Sequence, residues 1–134
     1  MKYTICYISK SSEKLDDKGV EDIFAKTVHN NNKSGIKGIL VYGMGNFLQV
    51  LEGEQSLIQP LFEDIIKEDT RHHDIFEVIN GPSERAIFSS YNSTFNVIKT
   101  PQELENIKSY LSLHRIYSTA DKYQRLLTPF LIEL

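Results

Sequence analysis

Apolar and polar positions alternate, then switch period, several times along the chain. Lys2-Tyr3-Thr4-Ile5-Cys6-Tyr7-Ile8-Ser9 is rich in β-branched and aromatic residues and runs into Lys10-Ser11-Ser12-Glu13, the pattern of a strand followed by a loop. From Asp16 the period changes: Val20, Ile23, Phe24, Thr27 and Val28 recur three and four apart, which predicts an amphipathic helix ending in the polar cluster His29 to Ser34. Ile36 to Tyr42 and Phe47 to Glu52 then read as an antiparallel hairpin about Gly43-Met44-Gly45-Asn46. A second helix is expected to be capped by Ser56 with Gln59, with Pro60 in its first turn and Leu57, Ile58, Leu61, Phe62, Ile65 and Ile66 on its apolar stripe. Asp69, Arg71, His72 and His73 are expected to close it. Ile75 to Ile79 and Thr94 to Ile98 predict a fourth and a fifth strand. Thr100-Pro101-Gln102-Glu103 opens a third helix with a cap residue, a proline at the first helical position and a glutamate at the third, and Ser118 caps a fourth.

The order βαββαββ followed by two helices predicts an α+β fold: a ferredoxin-like antiparallel sheet with two helices on one face, and a C-terminal helical pair. The expected division is residues 1–98 for the sheet unit and 99–134 for the helical extension packed on it. Such a unit has a crevice between its helices and its sheet, and polar residues aimed into that crevice are the ones to question.

Composition narrows the classes. A net charge of −3 over 134 residues, with no run of Lys or Arg, leaves no electrostatic footprint for nucleic acid. No apolar run exceeds four residues, against roughly 20 for a membrane helix. The lone Cys6 makes neither an internal disulfide nor a zinc site, and the opening MKYTIC lacks a basic and then apolar leader, so a cytoplasmic setting is expected. His29, His72, His73 and His114 have no metal-site spacing. Ser9, Ser11 and Ser12 stand in no nucleophile elbow or phosphate loop, and Lys10-Ser11-Ser12 is no cradle for an acylphosphatase-like hydrolase.

Two polar strand residues remain. Gln49 shares a face with Phe47 and Leu51; it either bonds a neighbouring main chain or solvent, or presents a carboxamide to a ligand. Tyr7 continues the Tyr3–Ile5 face, where a core phenol with a satisfied hydroxyl is the plainer reading. Together the two groups can bind the polar edge of a planar molecule. Asn30, Asn31 and Asn32 can be helix-end punctuation, and at least one is expected to be.

Cys6-Tyr7-Ile8-Ser9, Asn31 seven residues before Gly38, Phe47-Leu48-Gln49-Val50-Leu51-Glu52-Gly53 and Asp69-Thr70-Arg71-His72 together resemble the BLUF family of flavin-using blue-light sensors, over roughly residues 1–98. The resemblance implies a non-covalent FAD, or FMN, held between the two helices under the sheet. Tyr7 is then the electron and proton donor, and Gln49 the relay to the ring's N5/C4=O edge. Asn31 bonds the ring carbonyls, and Ile23 or Phe24 and Ile66 cover its faces. Asn32, Asp69, Arg71 and His72 hold the ring edge, ribityl chain and phosphate. The signal is a rearranged hydrogen-bond network and no substrate is turned over, so the chain is expected not to be an enzyme. Its output is expected to be altered association, as a homo-oligomer or with a downstream protein effector. The alternative is a non-photoactive flavin-binding or interaction module of the same fold. The family often has Trp and Met near the fifth strand; here Tyr91 and Ser93 take those places, as candidate relay residues, with Tyr91 a candidate second electron donor.

Overall fold

A computed structural model describes residues 2–83, 86–114 and 117–132. The elements are β1 (Lys2–Ser11), α1 (Asp17–Lys33), β2 (Lys37–Gly43), β3 (Asn46–Glu54), α2 (Gln55–Pro60), β4 (His72–Pro82), β5 (Asn96–Ile98), α3 (Pro101–Leu113) and α4 (Ser118–Leu127). They form a five-stranded sheet of order β4-β1-β3-β2-β5. β1 lies between β3 and β4 and is antiparallel to both, and β2 is antiparallel to β3. The α+β, ferredoxin-like arrangement is the expected one. The sheet is mixed rather than wholly antiparallel, because the chain returns from β4 through a short 3-10 turn at Phe88–Ser90 and lays β5 alongside β2 in the same direction.

Strand alternation divides the core in two. Tyr3, Ile5, Tyr7, Leu40, Phe47 and Leu51 pack under α1 and α2 with Val20, Phe24, Ile58 and Phe62. Cys6, Ile39, Val41, Leu48 and Val50 face the other way and pack with Leu104, Ile107 and Leu111 of α3 and Tyr123 and Leu127 of α4. The first two helices thus cover one face of the sheet and the last two the opposite face.

Local chemistry explains most boundaries. Asp16 caps α1 by accepting the Gly19 N–H at 2.8 Å. The hairpin closes on two residues, Met44 (φ 54°) and Gly45 (φ 73°), the left-handed pair of a tight β-turn. Gly38 has φ 138°, and a Cβ there would lie 1.8 Å from the Val50 carbonyl oxygen, so only glycine lets β2 lie this close to β3. Thr100 Oγ1 accepts the Glu103 N–H at 3.1 Å, with Pro101 at the first helical position, as the sequence predicts.

Apart from strand ends displaced by a residue or two, such as β5 opening at Asn96 instead of Thr94, three boundaries differ from expectation. α2 begins at Gln55, without a side-chain cap, so Pro60 ends its α-helical part instead of opening it. Proline has no N–H to give the carbonyl one turn back, and the chain continues as a π-helical turn over Leu61–Ile66, closed by Lys67 N–H to Phe62 C=O at 3.0 Å. Second, His72 and His73 do not close that helix; they open β4, which spans 11 residues with two register shifts against β1. Third, Ser118 is the first residue of α4 and Tyr117 its cap position.

Candidate functional site

Between α1, the π-helical turn and the sheet lies a cleft of about 320 Å³, at the low end for small-molecule sites. β1, β2 and β3 supply its floor: Tyr7, Leu40, Phe47 and Gln49. α1 supplies Ile23, Lys26, Thr27, Asn30 and Asn31; the π-helical turn supplies Leu61, Ile65 and Ile66; the turn into β4 supplies Asp69, Arg71 and His72.

Tyr7 and Gln49 are partners across the β1–β3 pair, so their side chains emerge side by side. The Gln49 Nε2 donates to the Tyr7 hydroxyl at 2.5 Å, and both residues are buried. Burial is the main influence on Tyr7 and pushes its phenol well above the ordinary tyrosine range; the Gln49 hydrogen bond opposes this and the Asp69 charge adds to it. Tyr7 is therefore a neutral phenol at physiological pH. Its ring packs against Phe62 and His72, with centroids 5.4 and 6.1 Å away.

Asn31 continues the Val20–Phe24 stripe, eleven residues and three helical turns after Val20, and so turns inward. It is 2% exposed, and its Nδ2 has no hydrogen-bond partner. A buried amide donor at a cleft wall is costly unless something accepts from it. Asn32, one residue on, is exposed; its Oδ1 accepts the Phe95 N–H at 2.6 Å and ties the end of α1 to the start of β5. Asn32 lies within α1, which continues to Lys33, and outside the cleft, as does Phe24, which is buried in the core nearby.

At the rim, Arg71 donates to Asp69 through Nε (2.9 and 3.1 Å) and Nη2 (2.5 Å), and the Arg71 backbone N–H adds a further bond at 2.9 Å. These bonds hold the Asp69 carboxyl below the usual carboxylate range. His72 is held at both ring nitrogens. Nε2 donates to the Ile66 carbonyl at 2.6 Å, since a carbonyl only accepts, and Nδ1 meets the Ser9 hydroxyl at 2.7 Å. It joins β1 to the end of the π-helical turn and spends both polar atoms there.

Of the residues singled out from the sequence, the cleft therefore gathers Tyr7, Ile23, Asn31, Gln49, Ile66, Asp69, Arg71 and His72. Tyr91 lies on the opposite face of the sheet, where its ring packs on Tyr110 at 4.9 Å, and Ser93 is exposed with its carbonyl accepting from Lys37. Lys26, Thr27 and Ile65 line the cleft without having been singled out; their i, i+3 and i, i+4 spacing from Ile23 and Leu61 is the signal that marks them.

An apolar slot with one polar edge, a buried amide donor awaiting an acceptor and a cationic lip fits a flavin, whose ring is planar, carbonyl-bearing along one side and tethered to phosphate. Among the described residues no helix is long and apolar enough to cross a membrane. Comparison with known proteins agrees with this chemistry. The chain is 30% identical over 87 residues to the photoactivated adenylate cyclase subunit alpha of Euglena gracilis, a match covering 65% of this chain but only 8% of that protein. BlsA in its ground state has a TM-score of 0.65 at 31% identity, covering 80% of this chain and 70% of that one. BlrP1 BLUF, from a protein of Klebsiella pneumoniae, has a TM-score of 0.73 at 25% identity, covering 98% and 90%. The family model described as "BLUF: Sensors of blue-light using FAD" matches residues 3–94, more than half of the sequence, and the chain belongs to that family of flavin-based blue-light sensors.

Proposed function

We propose that this chain is a blue-light photoreceptor in which Tyr7 gives up an electron and a proton, Gln49 rewrites its hydrogen bonds, and the output is a change in association with another protein or a second copy. The observation that carries the reading is the buried 2.5 Å hydrogen bond from Gln49 Nε2 to Tyr7, inside the cleft that also holds the unpartnered Asn31 Nδ2. When bound, FAD or FMN supplies the absorption of blue light and a ring that reversibly accepts an electron and a proton.

The protein's own groups then have distinct tasks. Tyr7 starts neutral, so it can donate both particles without a standing charge in the core. The Gln49 amide has a donor end and an acceptor end. Turning it over presents its carbonyl to the Tyr7 hydroxyl and its NH2 to the cleft, which reverses the sense of the network. Asn31 holds the ring's carbonyl side through Nδ2, and Ile23 and Ile66 cover its faces and exclude water. Lys26 and the Arg71–Asp69 pair stand at the lip, where a phosphate would lie. His72 acts as a strut that fixes this corner through Ser9 and Ile66.

No step in this scheme consumes a substrate, and the chain is read as a sensor rather than an enzyme, acting in the cytoplasm. The adenylate cyclase named above is matched over only 8% of its length. The test is an absorption spectrum of the purified protein in the dark and after blue light. A flavin spectrum with a small, reversible red shift is expected. Flavin that only bleaches, or none at all, overturns the reading in favour of a non-photoactive interaction module.

A further inference from the structure

Glu52 lies in β3 three residues beyond Gln49, and strand alternation turns it to the opposite face of the sheet. It is 2% exposed. One carboxylate oxygen accepts the Ile87 N–H and the other the Phe88 N–H, both at 2.8 Å. The Ile87 carbonyl in turn accepts the Tyr110 hydroxyl of α3 at 2.5 Å. The Ile87 residue is thus grasped from both ends, by the strand of the photosite and by the first C-terminal helix. Its surroundings are apolar: Ile87 and Phe88 are buried with Cys6, Val50, Leu104 and Tyr123.

This linkage differs from the packing around it. Apolar contacts need no particular partner atom, whereas a buried carboxylate separated from its two N–H donors loses bonds that its apolar surroundings cannot replace. A shift of β3 would pull on residues 87 and 88 through Glu52, and on Tyr110 through the Ile87 carbonyl.

We infer that Glu52 is the positioning residue that carries a displacement of β3 at Gln49 through Ile87 to Tyr110 and α3. It does so on the face of the sheet away from the flavin. The inference rests on the photoreceptor reading and names the mechanical route by which that site would act on the last two helices. It requires neither a tryptophan, which the chain lacks, nor side-chain exchange at Tyr91.

The test uses the full flavin-bound chain and compares amide hydrogen exchange in the dark and under blue light, by mass spectrometry, in wild type, Glu52→Gln and Tyr110→Phe. The carboxamide introduced by Glu52→Gln offers one acceptor oxygen where two N–H groups need two. Tyr110→Phe removes only the hydroxyl link and remains informative where Glu52→Gln fails to fold. Wild type is expected to show a light-minus-dark difference at residues 86–88 and 101–113. Both variants are expected to keep the flavin red shift while losing the difference in α3. Two results overturn the inference while the photoreceptor reading stands: wild type that red-shifts with no exchange change in α3, or a folded variant that keeps the full difference. Wild type that shows no red shift removes the photoreceptor reading, and this inference with it.

Discussion

Asn31→Ala should separate two quantities that usually move together, the stability of the protein and its hold on flavin. The Asn31 side chain is 2% exposed and its Nδ2 is unpartnered, so the amide is a burden on the flavin-free fold and becomes an asset only when an acceptor arrives. A buried polar group left unsatisfied costs about 1–3 kcal/mol. Removing it from flavin-free protein forfeits no hydrogen bond from Nδ2, and the helix keeps the Asn31 carbonyl's bond to the Ile36 N–H at 2.8 Å, because that bond is made by the backbone. The small volume lost borders the cleft rather than the close-packed core. Flavin-free Asn31→Ala should therefore unfold within about 1 kcal/mol of wild type, in the range usual for substitutions that open no core cavity. In the complex, the ring carbonyl that accepted from Nδ2 is left buried and unpaired, and flavin affinity should fall by about 5- to 150-fold for a loss of 1–3 kcal/mol. The assay is titration of flavin-free protein with FAD and FMN, followed by the quenching of flavin fluorescence, beside thermal melts with and without flavin. Equal destabilisation of both forms would mean that Asn31 is merely a packing residue. Unchanged affinity would mean that its amide does not face the ring.

Other perturbations follow from the same geometry. Tyr7→Phe and Gln49→Leu should each retain flavin and lose the light-induced red shift, because each deletes one end of the 2.5 Å hydrogen bond and leaves the apolar walls standing; a normal shift in either would refute the relay. Asp69 is held below its usual range by Arg71, so its contribution to stability is present above the unfolded-state pKa of about 3.9 and is lost as pH falls through the lower folded value. Melting temperatures of wild type and Asp69→Asn should accordingly differ at pH 6 and converge in acid, and a constant gap would exclude the ion pair as the cause. Gly38→Ala sets a Cβ at 1.8 Å from the Val50 carbonyl at a positive φ and should cost at least about 3 kcal/mol in chemical denaturation, with a loss under 1 kcal/mol counting against the close approach.

What could be seen in the sequence was whatever local chemistry decides. α3 is specified within four residues by Thr100, Pro101 and Glu103, and the hairpin by alternating strands around Met44-Gly45. β4 was only half visible. It is an edge strand with register shifts, so its first residues, His72 to Asp74, carry polar side chains and lack the apolar alternation that marks a buried strand. The pairing of β5 with β2 depends on how the chain crosses after β4, which no short stretch encodes. Among the three asparagines, periodicity alone selects Asn31, because it extends the Val20–Phe24 stripe; that Asn32 serves the Phe95 N–H could be known only once β5 was in place. The double restraint on His72 likewise reaches back 63 positions to Ser9 and six to Ile66, and only the latter is local.

β3 offers the clearest link between these observations and a sensor. Its residues from Phe47 to Glu52 alternate between two environments that do not otherwise meet. Phe47, Gln49 and Leu51 face the cleft side; Leu48, Val50 and Glu52 face the C-terminal helices. Both polar members of this stretch are buried, and each is bonded to something outside the strand: Gln49 to a phenol that can lose a proton, Glu52 to two peptide N–H groups. β3 is held by hydrogen bonds on both edges, to β1 and to β2, so a shift of β3 carries its neighbours with it instead of breaking the two ladders. A polar side chain on each face then allows such a shift to be driven on one side and read on the other, whereas a wholly apolar stretch would let the faces respond independently. This is why a carboxamide and a carboxylate three residues apart, each costly in a core by itself, are better understood together than as two separate exceptions to hydrophobic packing.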